Sequence, residues 1–313
     1  MILVTGANGF VGSALCARLR QEGKPFRAAV RALDEHAARD YVQVGNVGPN
    51  TDWARTLQGI QQVVHLAARV HVMNDTSADP WAECRRVNVE GTANLARQAA
   101  AAGVKRFVFL SSIKVNGECT QPGAPFQADD KPAPQDAYGV SKLEAEQVLY
   151  AIGQETGMDV VVIRPPLVYG PGVKANFAAM MRWVNRGWPL PLGQVTHNRR
   201  SLVALDNLVD LIMLCLHHPA AANQTFLVSD GEDVSTAELL CKVGQALGRP
   251  VRLWPVPAKL LKWGACVVNK PSVYQRLCGS LQVDLHKTQQ VLGWQPPVSL
   301  DQALMEVAES PQT

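Results

Sequence analysis

Residues 2–12 read Ile2-Leu3-Val4-Thr5-Gly6-Ala7-Asn8-Gly9-Phe10-Val11-Gly12, and this stretch decides the fold. Its first four residues form a short apolar and β-branched run, which predicts a buried strand. Residues 12–21 then follow with the amphipathic spacing of a helix. Three glycines at intervals of three therefore stand where a strand turns into a helix. A helix N-terminus offers free amide groups and a positive partial charge, so this glycine turn (residues 6–12) predicts an anion-binding site.

Short apolar runs recur through the first half of the chain and alternate with longer Ala, Leu, Glu and Arg-rich segments. That alternation is typical of a parallel sheet covered by helices on both faces. We expect at least six strand–helix units, with strands at 2–5, 26–30, 63–66, 106–111 and 160–164 and helices at 12–21, 88–102 and 137–154. The predicted fold class is α/β: a Rossmann doubly wound parallel sheet in residues 1–165. A smaller α/β subdomain in 166–313 follows, expected mainly to bind substrate, with some of its segments returning to the sheet.

The composition excludes several classes of protein. Of the 313 residues 47% are hydrophobic and 18% are charged, which excludes a disordered chain. The net charge of +3 comes without a long basic tract, so we expect no nucleic-acid partner. Seven dispersed cysteines without a Cys-x-x-Cys pair favour a reducing, cytoplasmic location, and His217-His218 lacks the neighbours of a metal site.

No export signal precedes the first strand, and the longest apolar run, 208–216, is about half the ~20 residues of a membrane span. We therefore expect no integral membrane association. Residues 254–280 form a second apolar segment, which could be a core helix, a dimer surface or a weak membrane contact.

The glycine turn has the spacing of a dinucleotide site. Gly6 and Gly9 would admit a pyrophosphate close to the backbone, and Gly12 would let the helix pack against the strand. Arg31 stands at the end of the second strand, where NAD sites have an acidic residue, so NADP(H) is favoured over NAD(H). Arg31 could also be a solvated loop residue, and Asp34 could serve NAD. The other predicted cofactor residues of the turn are Asn8, Phe10 and Val11.

Tyr138 and Lys142 lie four residues apart in a predicted helix, with Asp136 as a candidate N-cap. An ammonium at ~4 Å from a phenol is worth about 4 kcal/mol at an effective dielectric near 20. That corresponds to about three pKa units, which would bring a tyrosine near neutrality. The pair therefore predicts a proton-exchanging tyrosine.

Together these features resemble the extended short-chain dehydrogenase/reductases, the NAD-dependent epimerase/dehydratase family. The motifs that carry the resemblance are the glycine turn, His65-Leu66-Ala67-Ala68, Asn88, Ser111-Ser112, the Tyr138 and Lys142 pair, Arg164-Pro165-Pro166-Leu167-Val168-Tyr169-Gly170-Pro171-Gly172, Asn176, Arg200 and Leu292-Gly293-Trp294-Gln295-Pro296. Their order and spacing match the family over nearly the whole chain. Within it, the chain looks most like nucleotide-sugar 4-ketoreductases and 4-epimerases of O-antigen sugar biosynthesis.

The resemblance implies a role for each matching residue. Ser112 and Tyr138 would be catalytic, Ser112 by bonding the reacting sugar oxygen and Tyr138 as acid/base, and Lys142 would bind the nicotinamide ribose and tune Tyr138. The cofactor would also contact Asn46, Val47, Leu66, Ala67, Ala68, Asn88 and Pro165. The substrate would contact Ser112, Lys114, Tyr138, Asn176, Arg200 and Arg276. Asn88 could equally be a helix N-cap, Arg199 could replace Arg200, Arg276 could be a surface residue, and the stem of Lys114 could merely cover apolar surface.

The residues after Ser112 narrow the reaction. Ile113 and Lys114 replace the Asp-Glu pair of family dehydratases, and Lys114 replaces the cysteine of the dual epimerase-reductases. Two reactions remain: reduction of a UDP-linked 4-keto-6-deoxy-hexosamine by NADPH, and reversible UDP-hexose or UDP-N-acetylhexosamine 4-epimerisation with bound NAD. Arg31 and Asn116, which replaces a tyrosine common in epimerases, favour the reductase. A non-catalytic cofactor sensor is disfavoured because Ser112, Tyr138 and Lys142 are all present.

The resemblance also implies a homodimer through the helices that contain Asn88 and Tyr138, packed as a four-helix bundle. Small residues on both helices would allow close packing, although alanine-rich helices also pack well within one chain: Ala93, Ala96, Ala99, Ala100 and Ala145.

Overall fold

A computed structural model of the chain describes residues 1–33, 38–70, 79–121, 123–173, 175–267 and 271–310. Its main element is a seven-stranded parallel sheet in the order β3-β2-β1-β4-β5-β6-β9. The strands are β1 (Ile2–Thr5), β2 (Phe26–Val30), β3 (Tyr41–Gln43), β4 (Gln62–His65), β5 (Arg106–Leu110), β6 (Asp159–Arg164) and β9 (Gln224–Leu227). The order reverses at β1, which places the glycine turn at the switch point where such sheets bind ligands.

Helices cover both faces of the sheet, so the predicted Rossmann fold is confirmed. Helices α1 (Phe10–Gln21) and α6 (Leu205–His217) pack on one face, and α3 (Thr92–Ala101) and α4 (Ala137–Thr156) pack on the other. Each strand alternates between the two layers: Val4 belongs to the α1 and α6 side, and Leu3 to the α3 and α4 side. Both faces are therefore apolar, as expected for a buried parallel sheet.

A smaller three-stranded sheet follows, in the order β10-β8-β7. Its strands are β7 (Leu167–Tyr169), β8 (Arg200–Ala204) and β10 (Asp233–Val234), and its core is shared with α5 (Ala175–Asn185), α7 (Thr236–Ala246) and α11 (Leu300–Glu309). The remaining helices are α2 (Pro80–Arg85), α8 (Ala258–Val267), α9 (Pro271–Cys278) and α10 (His286–Leu292). Residues 205–227 leave this subdomain and return to the large sheet as α6 and β9.

Two predictions about the helix at residues 88–102 are corrected. The helix starts before residue 88, and its first part, Arg86–Gly91, is a π-helical turn that continues directly into α3. The alanines proposed for a dimer surface are used within the chain: Ala93, Ala96, Ala99 and Ala145 are buried against the sheet and Ala100 packs beside them. These alanines therefore give no support to a four-helix bundle. No helix in the described ranges is long and apolar enough to cross a membrane.

Candidate active site

The glycine turn is docked against the end of β4. Gly6 has φ +65°, and a Cβ there would lie 2.8 Å from the amide nitrogen of Ala67. A Cβ at Gly12 would overlap the carbonyl oxygen of Gly6. The backbone thus requires glycine at both positions. The N-terminus of α1 has no side-chain cap, so its amides are suited to bind a pyrophosphate. The residues present fit a dinucleotide cofactor.

The turn is held by a buried chain of hydrogen bonds that the sequence did not predict. The Thr5 hydroxyl oxygen accepts hydrogen bonds from the amides of Leu66 and Ala67, both at 3.2 Å. It lies 2.7 Å from Nδ1 of His65, whose Nε2 lies 2.9 Å from the Thr92 hydroxyl oxygen. Because Thr5 already accepts two bonds, its own O–H donates to Nδ1, which places the imidazole proton on Nε2. The chain ties the glycine turn to α3.

We expect His65 to make folding stability depend on pH. Burial lowers the pKa of His65 to about 3, whereas an unfolded histidine titrates at about 6.5. Between these values the unfolded chain binds a proton that the folded protein does not bind, so stability falls as the pH is lowered. The slope from this residue approaches about 1.4 kcal/mol per pH unit inside the window. Urea unfolding at several pH values, on wild type and His65→Asn, measures it.

The exposed His286 provides the matched control. His286→Asn should keep the wild-type slope, whereas His65→Asn should flatten it. A His65→Asn slope equal to that of the wild type would show that His65 is not held neutral.

The other predicted cofactor residues surround the same edge of the sheet. Leu66, Ala67 and Ala68 are half-buried directly after β4, and Arg31 is exposed directly after β2. In the loop after β3, Asn46 is exposed and Val47 is half-buried. Around the turn itself Asn8 and Gly9 are exposed, while Phe10 and Val11 are half-buried. Asp34 lies outside the described residues.

Asn88 is a buried clamp and not the helix N-cap considered as an alternative. Its Oδ1 accepts a hydrogen bond from the amide of Arg69 at 2.7 Å, and its Nδ2 donates to the Arg69 carbonyl at 3.0 Å. The same Nδ2 donates to Ser141 Oγ at 2.9 Å, and Ser141 Oγ donates to the Tyr138 carbonyl at 2.8 Å. Asn88 therefore joins the segment after β4 to the helix of Tyr138.

Ser112, Tyr138 and Lys142 are carried by neighbouring elements. Ser112 follows β5 and caps a short 3₁₀ turn, accepting a hydrogen bond from the amide of Lys114 at 3.3 Å. Tyr138 begins α4, which packs against that turn. Asp136 caps α4 as predicted, with the amide of Gly139 donating to its Oδ1 at 2.7 Å. The buried Pro165 closes the same region, because its carbonyl accepts from the Ile113 amide at 3.0 Å.

Lys142 is buried and held away from the phenol. Its Nζ donates to the carbonyl of Leu110 at 2.8 Å and lies 4.3 Å from the ring centre of Phe109. Its distance to the ring centre of Tyr138 is 5.9 Å. Burial lowers the pKa of Lys142 to about 7, and the negative charge of Glu146 opposes this shift.

The expected lowering of the Tyr138 pKa is wrong for this geometry. Burial raises the pKa of Tyr138, and the charges of Asp136 and Cys84 raise it further. Burial dominates because the ammonium of Lys142 is directed at the Leu110 carbonyl. Proton transfer from Tyr138 would therefore need the phenol to be bonded by a reacting group.

A buried ion pair joins α4 to β6 and was not predicted from the sequence. Arg164 Nε donates to Glu146 Oε1 at 2.9 Å, and Ser111 Oγ donates to the same carboxylate. Arg164 also donates to Asn116 Oδ1 at 3.0 Å, so Asn116 is buried in this network. Glu146 lies four residues after Lys142, and that spacing on an otherwise apolar helix face is the signal that could have revealed it.

The predicted substrate residues divide into two groups. Lys114 forms ion pairs with Asp136 and with Glu118, the latter at 3.4 Å, beside the start of α4. Arg200 is half-buried and donates to the Gly279 carbonyl at 3.2 Å, whereas Arg199 pairs with Glu238 at 3.2 Å on the surface. This favours Arg200 over Arg199 as the inward-facing residue.

Two further predicted substrate residues add little. Arg276 is exposed on α9, and the Asn176 side chain lies outside the described residues. Within the described part of the chain, no three His, Cys, Asp or Glu side chains are grouped closely enough to hold a metal ion.

Comparison with known proteins decides the family. The profile of the NAD dependent epimerase/dehydratase family matches residues 2–229. The chain belongs to this family. It is 48% identical over 310 residues to UDP-glucose 4-epimerase from Vibrio cholerae, covering 99% of this chain and 94% of that protein. A UDP-glucose 4-epimerase from Mycolicibacterium smegmatis is 28% identical, with 98% and 97% covered.

The solved structures agree with this assignment. MoeE5 in complex with UDP-glucuronic acid and NAD superposes with a TM-score of 0.77 at 27% identity, covering 98% of this chain and 97% of that one. The extended short-chain dehydrogenase/reductase architecture of this NAD-dependent family member is thereby confirmed, and so is the prediction of an NAD(P)-dependent enzyme.

Proposed function

We propose that the protein is a UDP-hexose 4-epimerase that acts with NAD as its resident cofactor. The observation that carries the proposal is the 48% identity over 99% of the chain to a UDP-glucose 4-epimerase, in a chain that keeps Ser112, Tyr138 and Lys142. This replaces the 4-ketoreductase expected from the sequence as the leading function. Both reactions exchange a hydride and a proton at sugar C4, so the same catalytic residues serve either.

The residues of the chain have separate tasks in the proposed reaction. The glycine turn and the segment after β4 would hold the dinucleotide, which when bound accepts hydride from C4 and returns it. Tyr138 would act in its deprotonated form, taking the proton of the C4 hydroxyl as general base and returning it to the C4 oxygen of the opposite epimer as general acid. Burial raises the Tyr138 pKa, so the positive charge that an oxidised nicotinamide would bring is needed to favour the phenolate. Ser112 donates a hydrogen bond to the same oxygen and so stabilises charge that develops there. Lys142 would bind the nicotinamide ribose, since its Nζ is directed at the Leu110 carbonyl and not at the phenol.

The structure removes one argument for the reductase. Asn116 bonds Arg164 and donates to the Gln127 carbonyl at 2.8 Å, so its identity reflects this buried network. The exposed position of Arg31 after β2 is the one observation that favours the second candidate, reduction of a UDP-4-keto sugar by NADPH.

Two parallel assays distinguish these functions. The purified protein is incubated with UDP-glucose or UDP-N-acetylglucosamine without reductant, and with a UDP-4-keto-6-deoxy-hexosamine plus NADPH. Appearance of the C4 epimer at constant nicotinamide redox state supports the epimerase. Consumption of NADPH with the keto sugar, and no epimer in the first assay, would replace the proposal with the reductase.

We expect Arg31 to influence the choice between cofactors. Arg31→Asp should weaken NADPH binding by about tenfold, equivalent to about 1.4 kcal/mol, because a carboxylate would repel the 2′-phosphate. NADH affinity should hold or improve. Fluorescence titration with both nucleotides measures the ratio, and Arg97→Asp on the exposed face of α3 is the matched control. An unchanged ratio in Arg31→Asp would place Arg31 outside the cofactor site.

We also propose a homodimer through the outer faces of α3 and α4. Arg97 is exposed and Val148 half-buried at the groove between these helices. Sedimentation at increasing protein concentration checks the oligomeric state, and a mass equal to one chain at every concentration would exclude the dimer.

A further inference from the structure

The smaller subdomain exposes an unusual number of large apolar side chains. Trp183, Trp188, Trp254, Leu260 and Trp263 are between 49% and 69% exposed, and together they are called the tryptophan face. Indole rings bury more area than almost any other side chain, so four exposed tryptophans in one region are costly in water. A surface of this kind indicates a binding partner.

Backbone pairing brings two of these residues, Trp188 and Trp254, close together. The amide of Leu190 donates to the Arg252 carbonyl at 2.9 Å, and the amide of Trp254 donates to the Leu190 carbonyl at 2.8 Å. Trp188 and Trp254 therefore flank one bridge between two chain segments. Residues one or two positions from members of the tryptophan face belong to one core cluster of the smaller subdomain: Val184, Leu190, Leu253 and Leu261.

The two sequence segments that contain the tryptophan face are strongly one-sided in charge. Residues 171–205 and 249–283 contain 11 lysines and arginines and not one Asp or Glu. The rest of the chain then has 19 basic against 27 acidic residues, although the whole protein is close to neutral at +3. Basic side chains are exposed around the tryptophan face: Arg182, Arg186, Arg252, Lys259 and Lys262. The guanidinium of Arg186 lies 5.4 Å from the ring centre of Trp188.

Helix α8 shows how the two features are combined. The helix begins directly after Pro257, whose carbonyl accepts hydrogen bonds from the amides of Leu260 and Leu261 at 2.9 and 3.2 Å. Leu261 faces the core, while Leu260 and Trp263 are exposed beside lysines. Tryptophan and leucine flanked by Lys and Arg are the composition of helices that lie in a membrane interface. Protein interfaces, in contrast, are depleted of lysine.

We propose that the tryptophan face and its surrounding basic residues dock the protein peripherally on an anionic lipid bilayer. The indoles insert at the headgroup level, and the lysines and arginines contact lipid phosphates. This inference is independent of the proposed 4-epimerisation, because none of these residues belongs to the catalytic group. It places the smaller subdomain, which contains Arg200, next to the membrane.

Co-sedimentation with vesicles tests the proposal. The full chain is mixed with vesicles of phosphatidylcholine, with and without phosphatidylglycerol. We expect binding to the anionic vesicles that weakens with salt, accompanied by a blue shift of tryptophan fluorescence. Two double variants, Trp254→Ser with Trp263→Ser and Lys259→Glu with Lys262→Glu, should each reduce binding to anionic vesicles by roughly tenfold or more.

Matched controls come from residues outside the smaller subdomain. Trp81 on α2 is 57% exposed and Arg55 is exposed before β4, so Trp81→Ser and Arg55→Glu should bind as the wild type does. Circular dichroism and epimerase assays show that each variant is folded. Absence of wild-type binding to anionic vesicles would overturn the proposal. The proposal would also be overturned if the tryptophan and lysine double variants still bound vesicles but had lost self-association or DNA binding.

Discussion

Replacing Tyr138 by phenylalanine is expected to reduce turnover by about 10³-fold or more, within the range for loss of a positioned general acid–base group. The change removes one oxygen from the half-buried residue at the start of α4 and leaves the glycine turn intact, so cofactor affinity should persist. Steady-state kinetics and nucleotide titration on the same preparation separate the two effects.

Tyr150 supplies the control, since it lies on the same helix but bonds Thr225 at 2.7 Å, away from Ser112. Tyr150→Phe should remain active. Turnover within tenfold of the wild type in Tyr138→Phe would remove Tyr138 from the acid/base role.

Removing the Glu146 carboxylate is expected to cost about 3–5 kcal/mol of unfolding free energy, because the charge of Arg164 would remain buried without its partner. Both side chains are at most 6% exposed, and Ser111 loses its acceptor as well. Urea unfolding of Glu146→Ala measures the loss. An apolar pair, Glu146→Leu with Arg164→Met, should recover much of it because no uncompensated charge is left.

The activity of that double variant adds a second measurement. Glu146 opposes the effect of burial on the pKa of Lys142, so without it the Lys142 pKa should fall further. If activity depends on the protonation of Lys142, the pH at which that activity changes should then be lower in the double variant.

A loss of unfolding free energy below about 1 kcal/mol in Glu146→Ala would show that the Glu146–Arg164 pair does not hold α4 against β6.

The sequence predicted what depends on local pattern. Strand β1 has the predicted bounds of Ile2–Thr5, because its apolar and β-branched run is buried at every residue. The capping of α4 by Asp136 likewise follows from side-chain chemistry next to the helix. Strand β3 was missed since it is only three residues long and mostly half-buried, which gives no periodic signal.

What escaped prediction depends on long-range pairing. Glu146 and Arg164 are 18 residues apart, and only the fold makes their charges neighbours. The same holds for Thr5 and His65, whose bond closes the glycine turn against β4. The predicted lowering of the Tyr138 pKa was wrong for a related reason. The sequence spacing determines which helix face Tyr138 occupies but not how deeply its ring is buried.

The clamp formed by Asn88 restricts how this protein can change over evolutionary time. Its amide makes three hydrogen bonds, accepting from one backbone amide and donating to a carbonyl and a hydroxyl. Aspartate would keep the acceptor but lose both donors, and glutamine would place the same groups one methylene too far into a buried space. Neither aspartate nor glutamine can therefore replace Asn88 in all three hydrogen bonds. Variation at position 88 is therefore accessible only together with changes at Ser141 and in the segment after β4, so these sites must evolve as one unit.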